Sequence, residues 1–326
     1  MKHEELKDYI NFYMQNYHIY PMHLKDKNVE NKDKRFIGNK EKRKCRFCGK
    51  EKGETTFKKV AHAIPELVGN KVLISFEECD ECNEIFAGLE NELANYIFFE
   101  RSTGGIRGKK GIPKYKNKKG LSVEFDKETE NRLIVQDLID SGNMIEDETD
   151  NSFTLKAERP PFVPIAVYKC LVKMALSVMP LKYLPYFWVT FDWILEKEHL
   201  KQQGLVLKIF EQFIPGVKPF NGVEMYLALK REESEENTPF CVFSICIGNK
   251  CYQVYLPFAG PDTIEEEGRE MVYKLFPSKY ALALPEGTIQ PILKDFSSNV
   301  KIRGQEMRVT YTYGSKNIIS KNENHL

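Results

Sequence analysis

The sequence lacks any long apolar run. No stretch reaches the roughly 18 apolar residues of a membrane-spanning helix, and its most apolar segment, residues 160–194, is interrupted by lysines, an aspartate and prolines. Residues 1–8 contain no apolar segment of the kind that signal peptides carry. We therefore expect a cytoplasmic protein without a membrane span, in which the eight cysteines are thiols or metal ligands rather than disulfides.

The sequence also lacks a net charge imbalance and internal repeats. Its 326 residues include 48 Lys and Arg against 47 Asp and Glu, and 42% are hydrophobic, which is typical of a globular protein with room for two domains. The charges are nevertheless segregated. Residues 25–52 carry 12 basic and 5 acidic side chains, residues 101–119 carry 8 basic and none acidic, and acidic runs follow at 232–236 and 265–267. This asymmetry indicates that the front of the chain contacts a polyanion, although either basic run alone is as well explained by a solvated loop.

Apolar periodicity and turn residues divide the chain into five parts. They are an N-terminal helix and basic arm (1–44), a compact module (45–100), a basic linker (101–120), a short meander or connector (121–159) and a C-terminal α+β domain (160–326). In the last part we expect helices at 163–179 and 186–201, then strands near 205–214, 223–230, 240–247, 252–258 and 307–313. The predicted fold class is α+β with an antiparallel sheet.

Two CxxC pairs are the strongest local signal. Cys45 and Cys48 are separated by 30 residues from Cys79 and Cys82. Each CxxC turn directs two thiolates at one point, and two such turns complete a tetrahedral, closed, structural zinc site. Free cysteines or a redox pair are the alternative. The other four cysteines lie in apolar surroundings and are expected to be buried thiols, at positions 170, 241, 246 and 251.

The residues around these cysteines carry a second pattern. His62-x-x-Pro65-Glu66 and Gly69-Asn70 lie between the CxxC pairs, and the second pair continues into Asn83 and a helix bearing Phe86 and Glu90. In this order the sequence resembles the HNH endonucleases, more narrowly their cysteine-bearing branch, over residues 45–100. The resemblance implies a small zinc-stapled ββα-metal module, similar to a treble clef. The separate α+β domain that would follow it is predicted from the residue pattern alone.

The resemblance also implies roles for individual residues. His62 matches the general base, since an imidazole can take a proton from water at neutral pH. Asn70 matches the residue that braces the loop orienting this base. Asn83 matches a ligand of a catalytic divalent cation, Mg²⁺ or Mn²⁺, which would stabilise the phosphorane and the leaving 3′ oxygen.

The sequence departs from the family pattern at Ala61, where many members have a second metal ligand. Either the site is inactive or another oxygen completes it. Glu90 lies seven residues after Asn83 and would share its helix face, although their separation along the axis is about 10 Å. Glu66, in the loop after His62, is the other candidate. Taken alone, His62 would be an ordinary packed histidine and Asn83 a helix N-cap.

We therefore predict a metal-dependent HNH endonuclease that acts on DNA rather than RNA. A defence or restriction-like effector, whose C-terminal domain senses the target or a signal, fits this prediction. The sequence leaves open a homodimer and a regulatory ligand at that domain. The alternative function is a non-catalytic zinc module that binds nucleic acid or protein. In both cases nucleic acid would contact the basic segment through Arg101, Arg107, Lys109, Lys110, Lys114, Lys116, Lys118 and Lys119.

Overall fold

A computed structural model describes residues 1–25, 29–126, 133–138, 141–199, 206–216, 219–220, 222–262 and 271–312. The helices are α1 (His3–Asn16), α2 (Asp80–Tyr96), α3 (Phe98–Thr103), α4 (Pro164–Val178) and α5 (Trp188–Leu195). The first strands are β1 (Tyr17–Leu24), β2 (Arg35–Ile37), β3 (Ala61–His62), β4 (Leu73–Ser75), β5 (Tyr115–Lys116), β6 (Ser122–Phe125), β7 (Leu133–Gln136) and β8 (Met144–Asp147). They are followed by β9 (Ser152–Glu158), β10 (Lys208–Phe213), β11 (Val223–Lys230), β12 (Cys241–Ile247), β13 (Lys250–Tyr255), β14 (Ile292–Asp295) and β15 (Glu306–Thr312). No helix among the described residues combines the length and apolar character needed to cross a membrane.

The largest sheet has six antiparallel strands in the order β1-β11-β12-β13-β10-β14. Every residue of β12 is buried, because both faces of the sheet are covered. Odd-numbered residues of β11 and β12, such as Leu227 and Phe243, pack in the same cluster as the apolar side chains of α4. Even-numbered residues, such as Ala228 and Val242, pack with Phe12 and Tyr13 of α1. This alternation is the period of two that a strand imposes on its side chains.

One hydrophobic core joins the cysteine-bearing module to this sheet. Helix α2 packs along α4, and Phe86 and Leu89 of α2 lie in the same cluster of buried residues as Leu171 of α4 and Phe243 of β12. Helix α4 is almost entirely buried, since α2 lies against one side of it and the sheet against another. The module is therefore fixed to the C-terminal part by apolar packing.

The module itself is a small sheet followed by α2. Strands β3 and β4 pair antiparallel, with His62 opposite Ile74, and β2 adds a third, parallel strand beside β4 with Phe36 opposite Ile74. The basic arm expected before residue 45 thus contributes β2 to the module, although its residues 26–28 lie outside the described ranges.

The prediction of a mixed α+β fold with antiparallel sheets is confirmed. Strand β11 has the predicted bounds, and helix α4 differs from its prediction by one residue at each end. The second predicted helix is shorter, since a 3₁₀ segment occupies Leu181–Phe187 before α5 and residues 196–199 after it are not helical. The last strand, β15, pairs with β9 outside the main sheet. The division of the chain into five parts stays a prediction.

One expectation about cysteines is wrong. Cys170 and Cys241 are buried free thiols as predicted, but Cys246 and Cys251 form a disulfide. These two residues lie directly opposite each other in β12 and β13, on either side of the tight turn at Gly248–Asn249. Sequence spacing did not reveal the disulfide, because whether Cys246 and Cys251 lie opposite each other depends on the register of the hairpin.

Candidate active site

Four cysteine side chains gather at the start of α2. They are Cys45, Cys48, Cys79 and Cys82, and their Sγ atoms all lie within 4.8 Å of one another. The Sγ–Sγ distance is 3.7 Å both for Cys45–Cys82 and for Cys48–Cys79. Because Zn–S bonds are about 2.3 Å, sulfurs of a tetrahedral zinc site lie about 3.8 Å apart, and this group fits zinc. Within the described ranges, no other group of three or more His, Cys, Asp or Glu side chains has ligand atoms gathered in this way.

Local backbone geometry places these thiols. The amide of Cys45 donates to Lys50 O at 2.8 Å and that of Gly49 to Cys45 O at 2.9 Å, which closes the first turn. Gly49 has φ +73°, a conformation that glycine adopts without strain. At the second turn, Cys79 is the N-cap of α2, and its Sγ accepts from the Cys82 amide. The interpretation of Asn83 as an N-cap is therefore wrong, since Asn83 lies one turn inside the helix.

His62 ends strand β3 at the edge of a cleft. Its side chain is 20% exposed, and its Nε2 lies 3.9 Å from Glu66 Oε2. Its Nδ1 is buried and has no hydrogen-bond partner among the described residues. The preceding residue, Ala61, is buried and pairs with Ser75 on the opposite face of the strand. A side chain at position 61 therefore points away from the cleft in this structure.

Asn70 holds the loop between β3 and β4. The side chain is fully buried, and its Nδ2 donates to Ile64 O at 2.6 Å and to Leu73 O at 2.9 Å. Its Oδ1 accepts from the amides of Val72 and Leu73 at 2.9 and 2.8 Å. All four bonds are local, so Asn70 fixes the loop that begins directly after His62 and does not itself line the cleft.

A cleft of about 460 Å³ brings the other candidates together. It is lined by His62, Glu66, Glu78, Asn83 and Glu90 together with the cationic residues Arg101, Lys109 and Lys110. Asn83 and Glu90, which lie seven residues apart on α2, face the same cleft as expected from helix geometry. The structure thus places Glu66 and Glu90, the two alternatives for completing a cation site, in one cleft with His62.

Lys173 of α4 is buried and contacts three of the residues that line this cleft. Its Nζ lies 3.0 Å from Glu78 Oε2 and 3.8 Å from Glu90 Oε1, and it donates to His62 O at 3.1 Å. The side chains of Lys173 and Glu78 are only 1% and 2% exposed. A buried charge is tolerated only when it is paired, so Lys173 is tied to the two carboxylates and to the strand that carries His62.

These charges set the protonation of the site. Burial lowers the pKa of His62, and the cations Lys173, Lys71 and Lys109 lower it further against the opposing effect of Glu66. Burial raises the pKa of Glu90, as do the charges of Glu78 and Glu66, while Lys173 acts in the opposite direction. At neutral pH, His62 is therefore a neutral imidazole, the form that can accept a proton.

The basic segment is ordered rather than a plain linker. Gly108 and Gly111 exchange backbone hydrogen bonds, and Lys71 Nζ donates to Gly108 O at 2.9 Å, which places Lys109 and Lys110 over the cleft. Arg101 Nε is buried without a hydrogen-bond partner among the described residues. Outside the cleft lining, Lys114 pairs with Glu124 at 2.5 Å, Arg107 is half-buried, and three lysines are exposed, namely Lys116, Lys118 and Lys119.

One short segment of the chain contains the four cysteines, the β3–β4 hairpin and helix α2, and most of the cleft lining lies within or beside it. Residues 45–95 match the HNH endonuclease family model. This confirms the resemblance for the HNH module, residues 45–95, and suggests a nuclease that binds nucleic acid, at the level of the family. No curated protein and no solved structure matches the chain.

The donors in the cleft of the HNH module are of the kind that Mg²⁺ or Mn²⁺ prefers. The carboxylates of Glu66 and Glu90 and the amide of Asn83 are hard oxygen ligands. The unpartnered, buried Nδ1 of His62 is a further free polar atom at the same place. Residue types therefore fit a divalent cation, although the carboxylates and His62 are not drawn together as tightly as the four cysteines.

Sequence reasoning missed Glu78 and Lys173. Glu78 stands directly before a zinc-type cysteine and follows no periodic pattern. Lys173 did leave a signal, because Lys169 and Lys173 are four residues apart in an otherwise apolar helix and must both be buried if α4 is. A buried lysine requires an acidic partner, but the sequence does not say which one.

Proposed function

We propose that the protein is a metal-dependent endonuclease that hydrolyses phosphodiester bonds in DNA. The observation that carries the proposal is the cleft itself, whose lining includes His62, Asn83, the carboxylates of Glu66 and Glu90, and three cationic residues, namely Arg101, Lys109 and Lys110. A base, oxygen donors for a cation and positive charge for phosphates are the components that phosphodiester hydrolysis needs. In this proposal the zinc-stapled HNH module is a ββα-metal unit similar to a treble clef.

Each side chain then has a task. Neutral His62 accepts a proton from the attacking water, and the Glu66 carboxylate, 3.9 Å from Nε2, stabilises the imidazolium that results. Asn70 keeps the following loop in place. Asn83, Glu66 and Glu90 would hold Mg²⁺ or Mn²⁺, whose chemistry when bound is to stabilise negative charge on the phosphate and the leaving oxygen. Arg101, Lys109 and Lys110 bind and orient the phosphates on either side.

A wider role extends this proposal. An HNH module fixed to a larger α+β part is an arrangement suited to a defence or restriction-like effector, with the C-terminal part sensing the target, a ligand or a second copy of the chain. Support comes from the packing of α2 on α4 and from Lys173, through which a change in the C-terminal part would reach the cleft.

One observation favours the alternative, a zinc module that binds nucleic acid without cutting it. The ligand atoms of His62, Glu66, Glu78 and Glu90 do not form a compact group among the described residues, and Lys173 already neutralises part of their charge. Binding by such a module would need the basic cleft but no divalent cation.

The test is a cleavage assay in which the purified protein is incubated with supercoiled plasmid, linear duplex DNA or RNA. Each substrate is tested in the presence of Mg²⁺, Mn²⁺ or EDTA. We expect nicking or linearisation of DNA that requires the cation and stops in EDTA. The Asn83→Ala variant should need a higher Mg²⁺ concentration for half-maximal rate while retaining its zinc. Binding of DNA without cleavage under every metal condition would contradict the nuclease proposal and support the alternative.

A further inference from the structure

The three-stranded sheet of the HNH module has an exposed aromatic side chain on the same face as His62. His62 in β3 lies opposite Ile74 in β4, and Ile74 lies opposite Phe36 in β2. Residues directly opposite each other in neighbouring strands point to the same face of the sheet. The burial pattern agrees, because Ala61 and Ser75 on the other face are buried.

The side chain of Phe36 presents a free ring face rather than filling the core. It remains 52% exposed, although it is stacked on Phe76 with ring centroids 5.0 Å apart and planes at 4°. The guanidinium of Arg43 lies over the Phe76 ring at 5.0 Å and is held by hydrogen bonds to Phe57 O and Lys40 O. Arg43 therefore holds Phe76 in place, and Phe36 is the exposed member of the stack.

The surroundings of Phe36 are positive. Three cationic residues close to it in the chain are exposed and form no ion pair with another described residue, namely Lys34, Lys40 and Lys42. The nearby Glu77 is neutralised by Arg46 at 2.6 Å, which leaves Glu41 as an exposed acid in this stretch. An aromatic ring within a basic surface matches a nucleic-acid strand, which offers phosphates and base faces together.

The exposed ring of Phe36 and the cleft are close enough to contact one nucleic-acid strand. Strands β2 and β3 are two strand spacings apart, about 10 Å, with β4 between them. That separation corresponds to at most about three nucleotides, because stacked bases rise 3.4 Å each and unstacked bases lie further apart along the strand. A strand whose phosphate lies at His62 would therefore bring a base within reach of Phe36.

We propose that Phe36 is a stacking platform for an unpaired base of the nucleic-acid strand that enters the cleft, at most about three nucleotides from the phosphate that is cut. This inference rests on the proposed nuclease function and narrows its substrate to a strand with an unstacked base, as in single strands, bulges or flipped positions. Inside an intact duplex both faces of every base are covered by their neighbours, so no face is available to Phe36.

The test compares Phe36→Leu, which keeps an apolar side chain but removes the ring, with Phe36→Tyr, which keeps the ring. Both are made together with His62→Ala so that the probe is not cut. The probes are a fluorescein-labelled 12-nucleotide single-stranded DNA of mixed sequence, the same sequence in RNA, and the DNA duplex, with binding followed by anisotropy. Trp188→Ala is the matched control, because Trp188 is another exposed aromatic, 67% exposed, outside the HNH module.

We expect Phe36→Leu to weaken binding of at least one single-stranded probe by roughly 5- to 150-fold, the range measured for loss of one base–aromatic stack. Phe36→Tyr and Trp188→Ala should bind each probe as tightly as the His62→Ala parent does. The affinity of Phe36→Leu for the duplex should fall much less than its affinity for the single strands. Equal binding of both single-stranded probes by Phe36→Leu and its parent would overturn the inference, as would an equal loss on the duplex. The binding result does not depend on cleavage. If the wild-type protein cuts DNA, unchanged binding by Phe36→Leu still disproves base stacking on Phe36. If it does not cut, weaker binding by Phe36→Leu still supports such stacking.

Discussion

Lys173 shows how much of the candidate site depends on one side chain. It is fully buried, lies 3.0 Å from Glu78 Oε2, and also bonds the backbone of His62. Burial opposes its charge, but Glu78 and Glu90 outweigh burial and raise the pKa of Lys173. It therefore stays an ammonium and keeps two carboxylates and the strand that carries His62 in fixed relation.

Replacing Lys173 by Met should lower both stability and cleavage. Leaving Glu78 buried without its partner costs about 3–5 kcal/mol of unfolding free energy. The double variant Lys173→Met/Glu78→Gln should recover most of that stability, because no unpaired charge remains, but not the cleavage rate. Unfolding in urea and initial cleavage rates measure the two effects separately.

Lys169→Met is the matched control for this prediction. Lys169 is equally buried in α4, one turn earlier, but it pairs with Glu196 far from the cleft lining. This variant should lose stability and retain the cleavage rate of its folded fraction. A folded Lys173→Met protein that cuts DNA as fast as the parent would show that Lys173 has only a structural role.

At the scale of elements, the turn between α3 and β5 determines which basic residues face the cleft. Lys109 and Lys110 line it, whereas Lys118 and Lys119 are exposed elsewhere. The sequence presented all of them as one basic run, because charge counts do not reveal which side of a turn faces a neighbour. The bridge between Gly108 and Gly111 closes the turn, and the hydrogen bond from Lys71 to Gly108 O fixes it. Together they set Lys109 and Lys110 at the cleft.

We expect Lys109→Gln/Lys110→Gln to weaken DNA binding and to reduce the slope of log affinity against log salt by about two units. Each lysine lost from a phosphate contact releases one fewer counterion. Lys118→Gln/Lys119→Gln removes the same charge from the same segment and serves as the control. If both double variants lose the same affinity and slope, net charge rather than the cleft explains binding.

Helix α3 is fixed to the main sheet by a buried ion-pair network. Glu100 accepts from Arg159 at 2.6 Å and from Lys250 at 2.9 Å. Burial by itself would raise the pKa of Glu100, but Lys250 and Arg159 outweigh it and lower the pKa to about 2. This carboxylate therefore adds stability above its unfolded pKa of about 4.3 that is lost as the pH falls towards 2.

Glu100→Gln should accordingly destabilise the protein most at neutral pH, by about 3 kcal/mol. The difference in unfolding free energy between parent and variant should shrink steadily between about pH 4.5 and pH 2, because both then carry a neutral side chain. Urea titrations at several pH values measure it. A difference that stays constant over this range would mean that the charge of Glu100 contributes nothing.

At the scale of the whole molecule, the continuous core means that the zinc-type site and the C-terminal sheet support each other. Phe86 follows Cys82 by one turn of α2 and packs in the same cluster as α4 and β12. Losing the first turn of α2 would therefore loosen more than the module.

We expect one zinc per chain and, for Cys79→Ser, loss of the metal with a large fall in melting temperature for the entire described core, because metal binding and folding are coupled. Cys170→Ser is a control, since Cys170 is a buried free thiol outside the metal group. Elemental analysis that finds no tightly bound zinc in the parent would contradict the metal assignment, and a Cys79→Ser protein that melts like the parent would contradict the coupling.

The sequence predicted what depends on local pattern. Spacing identified the four cysteines, alternation identified β11 and β12, and the family resemblance led to His62 and Asn83. Contacts between segments that are far apart in the chain could not be predicted from the sequence. Lys173 and His62 are 111 residues apart, and strand β2 joins the module only because its edge meets β4. Such pairings depend on three-dimensional packing, which periodicity does not encode.

The most direct test of the central claim is Mg²⁺-dependent nicking of plasmid DNA by the parent and by His62→Ala at matched zinc content. We predict that the parent cuts and that His62→Ala loses at least about 100-fold in rate, the lower range for removal of a general base. DNA binding and melting temperature should be unchanged in the variant, because His62 makes no side-chain hydrogen bond among those described. A His62→Ala protein that nicks plasmid as fast as the parent would show that this cleft is not the active site.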